Sequence, residues 1–207
     1  MPDYLNEFYI IAIAHIFAVM SPGPDFALIT RQSLLHGRKS AIYASIGIGS
    51  GIILHVIYIV LGFTLLSTNE YFLTIIRICA SIYLFYLGFC SFFLTKNVTK
   101  NSENLNDNTD NSFINSYKLG FITNVLNVKA ILFFISLYAS IEIGTSKFIM
   151  FLYGIWMSLI TCLWFIFLSY SFTNRYMEKF TSKYYIYLNK LMGFVLIYIS
   201  IKIYLNY

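Results

Sequence analysis

Six apolar stretches of some twenty residues or more, at roughly 5–30, 41–66, 71–94, 117–140, 147–171 and 186–205, leave little of this chain for anything else. About 20 helical residues cross the ~30 Å hydrocarbon core of a bilayer, so each stretch is long enough to span it as a helix. Strands of a membrane barrel would alternate apolar and polar residues over about ten positions. Runs such as Ile52-Ile53-Leu54 and Phe92-Phe93-Leu94 do not alternate. Composition agrees: 58% of residues are hydrophobic and 11% charged, against roughly 25% charged in a soluble domain. The expectation is an all-α membrane protein with six transmembrane helices, forming one domain over residues 1–207. The N-terminal stretch has Asp3 and Glu7 but no Lys or Arg, and Pro-Gly-Pro follows it rather than a small-residue cleavage site. It therefore reads as the first span and not as a signal peptide.

That first span is interrupted at Ser21-Pro22-Gly23-Pro24-Asp25. Pro22 and Pro24 each remove a backbone donor and push the preceding residue toward extended geometry, and Gly23 adds backbone freedom. Helix is expected to stop near Met20 and to restart near Pro24 or Asp25. Freed backbone groups in hydrocarbon are tolerated where protein or a watered cavity satisfies them, so the break is a candidate site.

The net charge is +5. Basic residues are scattered at span ends with no basic run, which excludes a nucleic-acid partner and points to the positive-inside rule. Arg31, Arg38 and Lys39 follow span one; Lys96, Lys100 and Lys118 lie between spans three and four; Arg175, Lys179, Lys183 and Lys190 lie between five and six. Lys147 and Lys202 lie on the other side, with Arg77 near the start of span three. This bias places the first group in the cytoplasm and both termini outside. Cys79, Cys90 and Cys162 stand at no metal-ligand spacing, so neither a metal site nor a cofactor is expected.

The hydrophilic, Asn-rich segment 95–116 reads as a cytoplasmic linker between half one (1–94) and half two (117–207). Three-span halves have opposite topology, which suggests an inverted repeat. Span four occupies the place of span one and also carries a polar interruption, with Thr123, Asn124, Asn127 and Lys129. Polar interruptions at corresponding places in two halves point to a transporter site near the midplane. A charge at depth costs roughly 2.5–3.5 kcal/mol on insertion scales, so Asp25 and Lys129 are not expected to face lipid unpaired.

Other candidates have competing readings. His15 and His55 are either polar pore members, able to relay protons, or histidines bonded to a neighbouring helix. Gly47 and Gly51, four apart on one face, read as helix-packing residues because no strand precedes them. Catalysis is not expected, because the nine acidic residues are dispersed. The competing class is a non-transporting bundle, a small channel or a partner subunit.

The chain resembles the LysE/RhtB family of amino-acid exporters. The resemblance runs through Ser21-Pro22-Gly23-Pro24-Asp25, Arg31, Gly37-Arg38, the stretch from Gly47 to His55, Tyr83-Leu84-Phe85-Tyr86-Leu87-Gly88, the stretch from Gly120 to Phe134, and Leu191-Met192-Gly193. It implies secondary-active efflux of amino acids or derivatives across the bacterial cytoplasmic (inner) membrane, driven by an ion gradient, and leaves room for a homodimer. Under that reading, Ser21, Gly23, Asp25, Asn124 and Asn127 bind substrate, and Asp25 also carries the counter-transported proton; the competing reading is that Asp25 simply caps the helix that restarts after Pro24. One departure stands out: the family usually has Asn-Pro-Lys-Ala, and this chain has Asn127-Val128-Lys129-Ala130. Either the asparagines alone hold a break there, or the fourth span is straighter.

Overall fold

The computed structural model describes residues 4–21, 23–66, 70–93, 113–141 and 144–173, with single positions between 187 and 205. Pro22, the linker residues 94–112, the side chain of Arg77 and the basic stretch 174–186 lie outside the described residues. Among those described there is helix and no strand. The helices are α1 (Tyr4–Met20), α2 (Pro24–Leu35), α3 (Gly37–Leu66), α4 (Glu70–Phe93), α5 (Phe113–Val125), α6 (Val128–Ala139) and α7 (Lys147–Phe172). The positions described between 187 and 205 are all helical.

Two apolar stretches, Gly37–Gly62 and Lys147–Phe172, have 26 residues each and are long enough to cross a bilayer. At about 1.5 Å per residue each reaches about 39 Å. Two further stretches qualify only as pairs: α1 with α2, bent by 50°, and α5 with α6, bent by 56°, which brings the number of crossings to as many as four among the described residues.

Helix α3 is the hub of the bundle. Small residues let α5 lie directly against it: a side chain on Gly47 would strike the Tyr117 carbonyl, and one on Gly120 would strike the Ala44 carbonyl. Backbone contact of this kind is how helices associate where lipid removes the hydrophobic drive between them. The contacts Ser40 with Ser116, Ala44 with Gly120 and Gly51 with Asn124 run in step, so α3 and α5 are parallel. On the other side, Ser45 meets Ser169, Ser158 donates to the Gly49 carbonyl at 2.7 Å, and Gly154 meets Val56, so α3 and α7 are antiparallel. Gly88 and Gly193 abut, and the Ser81 and Ser200 hydroxyls each donate to the other's carbonyl at 2.9 and 3.0 Å, joining α4 to the C-terminal helical positions.

Two apolar clusters fill the interior. One gathers Ile11, Ala14, Ile52, Val56, Leu137, Tyr138 and Met157; the other gathers Phe26, Ile29, Ala44, Ile48, Phe165 and Leu168. The two helix breaks lie between them.

Candidate functional site

The first break forms as the prolines demand. Helix α1 closes with a tight turn in which Ser21 N donates to Ala18 O at 3.2 Å. Gly23, extended at φ −171°, is the N-cap of α2 and supplies no side-chain cap, while Pro24 occupies the first turn. There its missing N–H costs nothing, because the first amides of a helix lack helical partners anyway. The Gly23 carbonyl accepts from Ala27 N at 3.0 Å and so belongs to the new helix. The Ser21 carbonyl accepts instead from Lys129 Nζ at 3.1 Å. Asp25 lies in the first turn of α2, where a carboxylate complements the positive helix end. It does not cap: its Oδ2 accepts from Asn124 Nδ2 at 2.8 Å.

The second break forms without proline. Asn127 (φ −71°, ψ 99°) caps α6, its side-chain oxygen accepting from Lys129 N at 3.1 Å and from Ala130 N at 3.4 Å. The Asn124 carbonyl, released where α5 ends, accepts from Asn127 N at 3.1 Å and from His55 Nε2 at 3.1 Å. The asparagines therefore hold the bend, and the straighter fourth span is excluded.

The breaks complete one another. Asn124 reaches from the second to Asp25 in the first, and Lys129 reaches from the second to Ser21. Gly23 leaves room for the lysine stem: a Cβ there would stand 3.3 Å from Lys129 Cδ. A Cβ on Gly51 would stand 2.6 Å from Asn124 Oδ1, so α3 presses on the same amide. The break also lies against α4, whose Tyr83 hydroxyl donates to the Lys129 carbonyl at 3.3 Å.

A pocket opens at this junction, with about 470 Å3 of empty space when the part open to solvent is counted. Ser21, Gly23, Asp25, Asn124, Asn127, Lys129 and His15 all line it. His55 does not; besides Asn124 it meets the Tyr58 hydroxyl at 2.7 Å and stacks on Phe134. Gly47 serves the α3–α5 contact. Three buried polar atoms at the pocket have no hydrogen-bond partner: Asp25 Oδ1, Asn124 Oδ1 and His15 Nδ1. All three are acceptors. Asp25 is a carboxylate; Asn124 turns its nitrogen to Asp25 and keeps its oxygen free; His15 Nε2 lies 3.1 Å from the Met157 carbonyl, which only accepts, so the neutral ring carries its hydrogen there. Among the described residues, no three His, Cys, Asp or Glu side chains cluster as metal ligands would.

Sequence reasoning missed the apolar walls Phe26, Phe133, Phe134 and Phe165, and Thr161 beside His15. It also missed a second buried polar cluster, where Glu7 accepts from the Tyr153 hydroxyl at 3.0 Å and from the Thr145 hydroxyl at 3.1 Å. The signal was a carboxylate inside the first apolar stretch, but its partners lie on the far side of the sequence.

No solved structure matches the chain significantly. An uncharacterized membrane protein of Bacillus subtilis, YrhP, is 25% identical over 195 residues, covering 89% of this chain and 91% of the relative. A threonine efflux protein of Escherichia coli K12 is 29% identical over 148 residues, 69% of this chain and 71% of its own length. A threonine efflux protein of Salmonella typhi is 29% identical over 139 residues, 65% of this chain and 66% of its own. The family model for LysE type translocators matches residues 16–206, a span that takes in both breaks and all the pocket residues except His15. Together with the apolar helices, that match makes this multi-pass membrane protein a member of the LysE type translocator family, and so a transporter and not an enzyme.

Proposed function

We propose that the protein exports an amino acid or a close derivative across the cytoplasmic membrane in exchange for protons. The observation that carries this reading is the set of unpartnered buried acceptors facing one pocket beside a lysine. Polar groups buried without partners are unfavourable by about 1–3 kcal/mol each, so their natural complement is a donor-rich ligand. A primary ammonium suits Asp25 Oδ1 and Asn124 Oδ1. A carboxylate suits Lys129 and the positive end of α2. A zwitterion meets both demands at once, and the relatives named threonine efflux proteins point to the same substrate class. Asp25, the carboxylate at the break, is the proton carrier: substrate ammonium and proton compete for it, and alternating access turns that competition into antiport.

This mechanism uses six spans in two inverted halves. The helix directions support it: α3 runs parallel to α5 and antiparallel to α7, as alternating crossings require. Met20 and Val125 at the two helix ends, Gly49 and Gly154, and Gly88 and Gly193 all stand at one constant separation along the chain. Both termini then lie outside and the linker inside. A cysteine replacing Asn106 should resist an impermeant thiol reagent in intact cells; labelling there reverses the orientation.

Induced expression should raise tolerance to toxic amino-acid analogues, lower their internal level and enrich the medium in one or a few amino acids. If a broad panel and a profile of the medium show no change while the protein is present in the membrane, the exporter reading is wrong.

A further inference from the structure

We propose that His15 is a specificity-determining residue whose Nδ1 accepts a hydrogen bond from the side chain of the transported amino acid, so that the pocket selects substrates bearing an O–H or N–H donor on a short side chain. This rests on the exporter reading above and adds to it a residue that reads the substrate.

His15 is 2% exposed and is held on one edge only. Its Nε2 stands 3.1 Å from Met157 O and 2.9 Å from Thr161 Oγ1, so α7 fixes both the tautomer and the ring plane. The ring is set among Phe133, Phe134 and Trp156, with centroids 5.9–6.2 Å away. None of these neighbours donates to Nδ1, which is left without a partner on the pocket wall. An acceptor so fixed, in an apolar surround, is a demand for one donor from the ligand.

Its position separates it from the ammonium site. His15 precedes Ser21 by six residues on α1, about 9 Å along the helix axis. Asp25, Asn124 and Lys129 cluster at the break, whereas His15 lies toward the Phe133–Phe134 wall. With the charged ends of an amino acid held at the break, the group that extends toward His15 is the side chain. The aromatic wall limits its size, and Nδ1 sets its chemistry. A site built to accept a hydrogen bond discriminates against an analogue that lacks the donor, because the buried nitrogen is then left unsatisfied.

The test uses isosteric pairs, threonine against valine and serine against α-aminobutyrate, in proteoliposomes containing the full chain. Wild type should transport the hydroxyl member of each pair on the order of 10-fold more efficiently. His15→Phe should erase the preference, bringing the ratio of the hydroxyl member to its partner to about one. His15→Gln, which keeps one donor and one acceptor, should retain part of the preference, and Thr161→Val, which loosens the ring, should reduce it. Thermal unfolding provides the folding control; if His15→Phe does not fold, the Gln and Val variants decide. Equal transport within each pair by wild type overturns the proposal. So does a preference that survives His15→Phe, or an equal loss for both members, which would place the ammonium at His15. If wild type moves none of the four amino acids under an imposed gradient, this proposal fails, while the exporter reading is decided separately by the broad panel and the profile of the medium.

Discussion

The two helix breaks reach similar bends, 50° and 56°, by different physical routes. The first is imposed by covalent geometry: with prolines at 22 and 24, regular helix cannot continue, and the restarting α2 has no side-chain cap. The second is drawn rather than imposed. Every residue from Asn124 to Lys129 has a backbone N–H, yet Asn127 turns its side chain onto the amides of Lys129 and Ala130 and stops α5. A cap of this kind is worth about 1 kcal/mol, so it needs help. His55 supplies that help by taking the Asn124 carbonyl, and Gly51 by admitting the Asn124 side chain. A proline break is written into its own few residues, whereas a capped break depends on its neighbours. The polar atoms of each break are also answered by the other, through Asn124 to Asp25 and Lys129 to Ser21.

The strongest way to disrupt this pairing is to remove the charge of the first break. Asp25→Asn keeps shape and a hydrogen bond to Asn124 but loses the carboxylate proposed to hold the substrate ammonium and the proton. A charged hydrogen bond is worth about 1.5–3 kcal/mol, so gradient-driven efflux should fall on the order of 100-fold with thermal stability nearly unchanged. Wild-type efflux with unchanged pH dependence in this variant would move coupling away from the break.

Next in size is the cation that crosses between breaks. Lys129→Met keeps length but leaves the Ser21 carbonyl without that donor, so efflux should fall on the order of 10-fold and stability by about 1–3 kcal/mol. A variant as stable as wild type would mean that the lysine does not tie the breaks together. Asn127→Ala should cost about 1 kcal/mol through the lost cap, read as a lower unfolding temperature in detergent. It separates the two routes, because no side chain plays the equivalent part at Gly23. The smallest effect belongs to Val128→Pro. Val128 is the first residue of α6 and 65% exposed, and Asn127 before it is already extended, so proline fits there as it does at other helix starts. Stability should be unchanged or higher by up to about 1 kcal/mol, with the bend preserved. A marked loss would show that the capped geometry differs from a proline-made one.

What the sequence determined by itself follows from forces that act over a few residues. Hydropathy assigns the chain to a membrane, and the donors missing at Pro22 and Pro24 end one helix at Met20 and start the next at Pro24. The polar residues 123–129 mark a second interruption at the corresponding place, though whether they bend the helix was open, since a cap without proline is only as good as its surroundings. Tertiary structure decided that, and it decided how identical residue types divide their work. His15 and His55 look alike in the sequence, each alone in an apolar span; one lines the pocket with a free nitrogen, and the other holds a backbone carbonyl on α5. Glu7 likewise found its partners on and before α7, and Asn124 became both an end of the bend and a ligand of Asp25. The reason is range: local backbone chemistry is complete within a turn of helix, whereas the partner of a buried polar atom is chosen by whichever helix packs beside it, here about a hundred residues away along the chain.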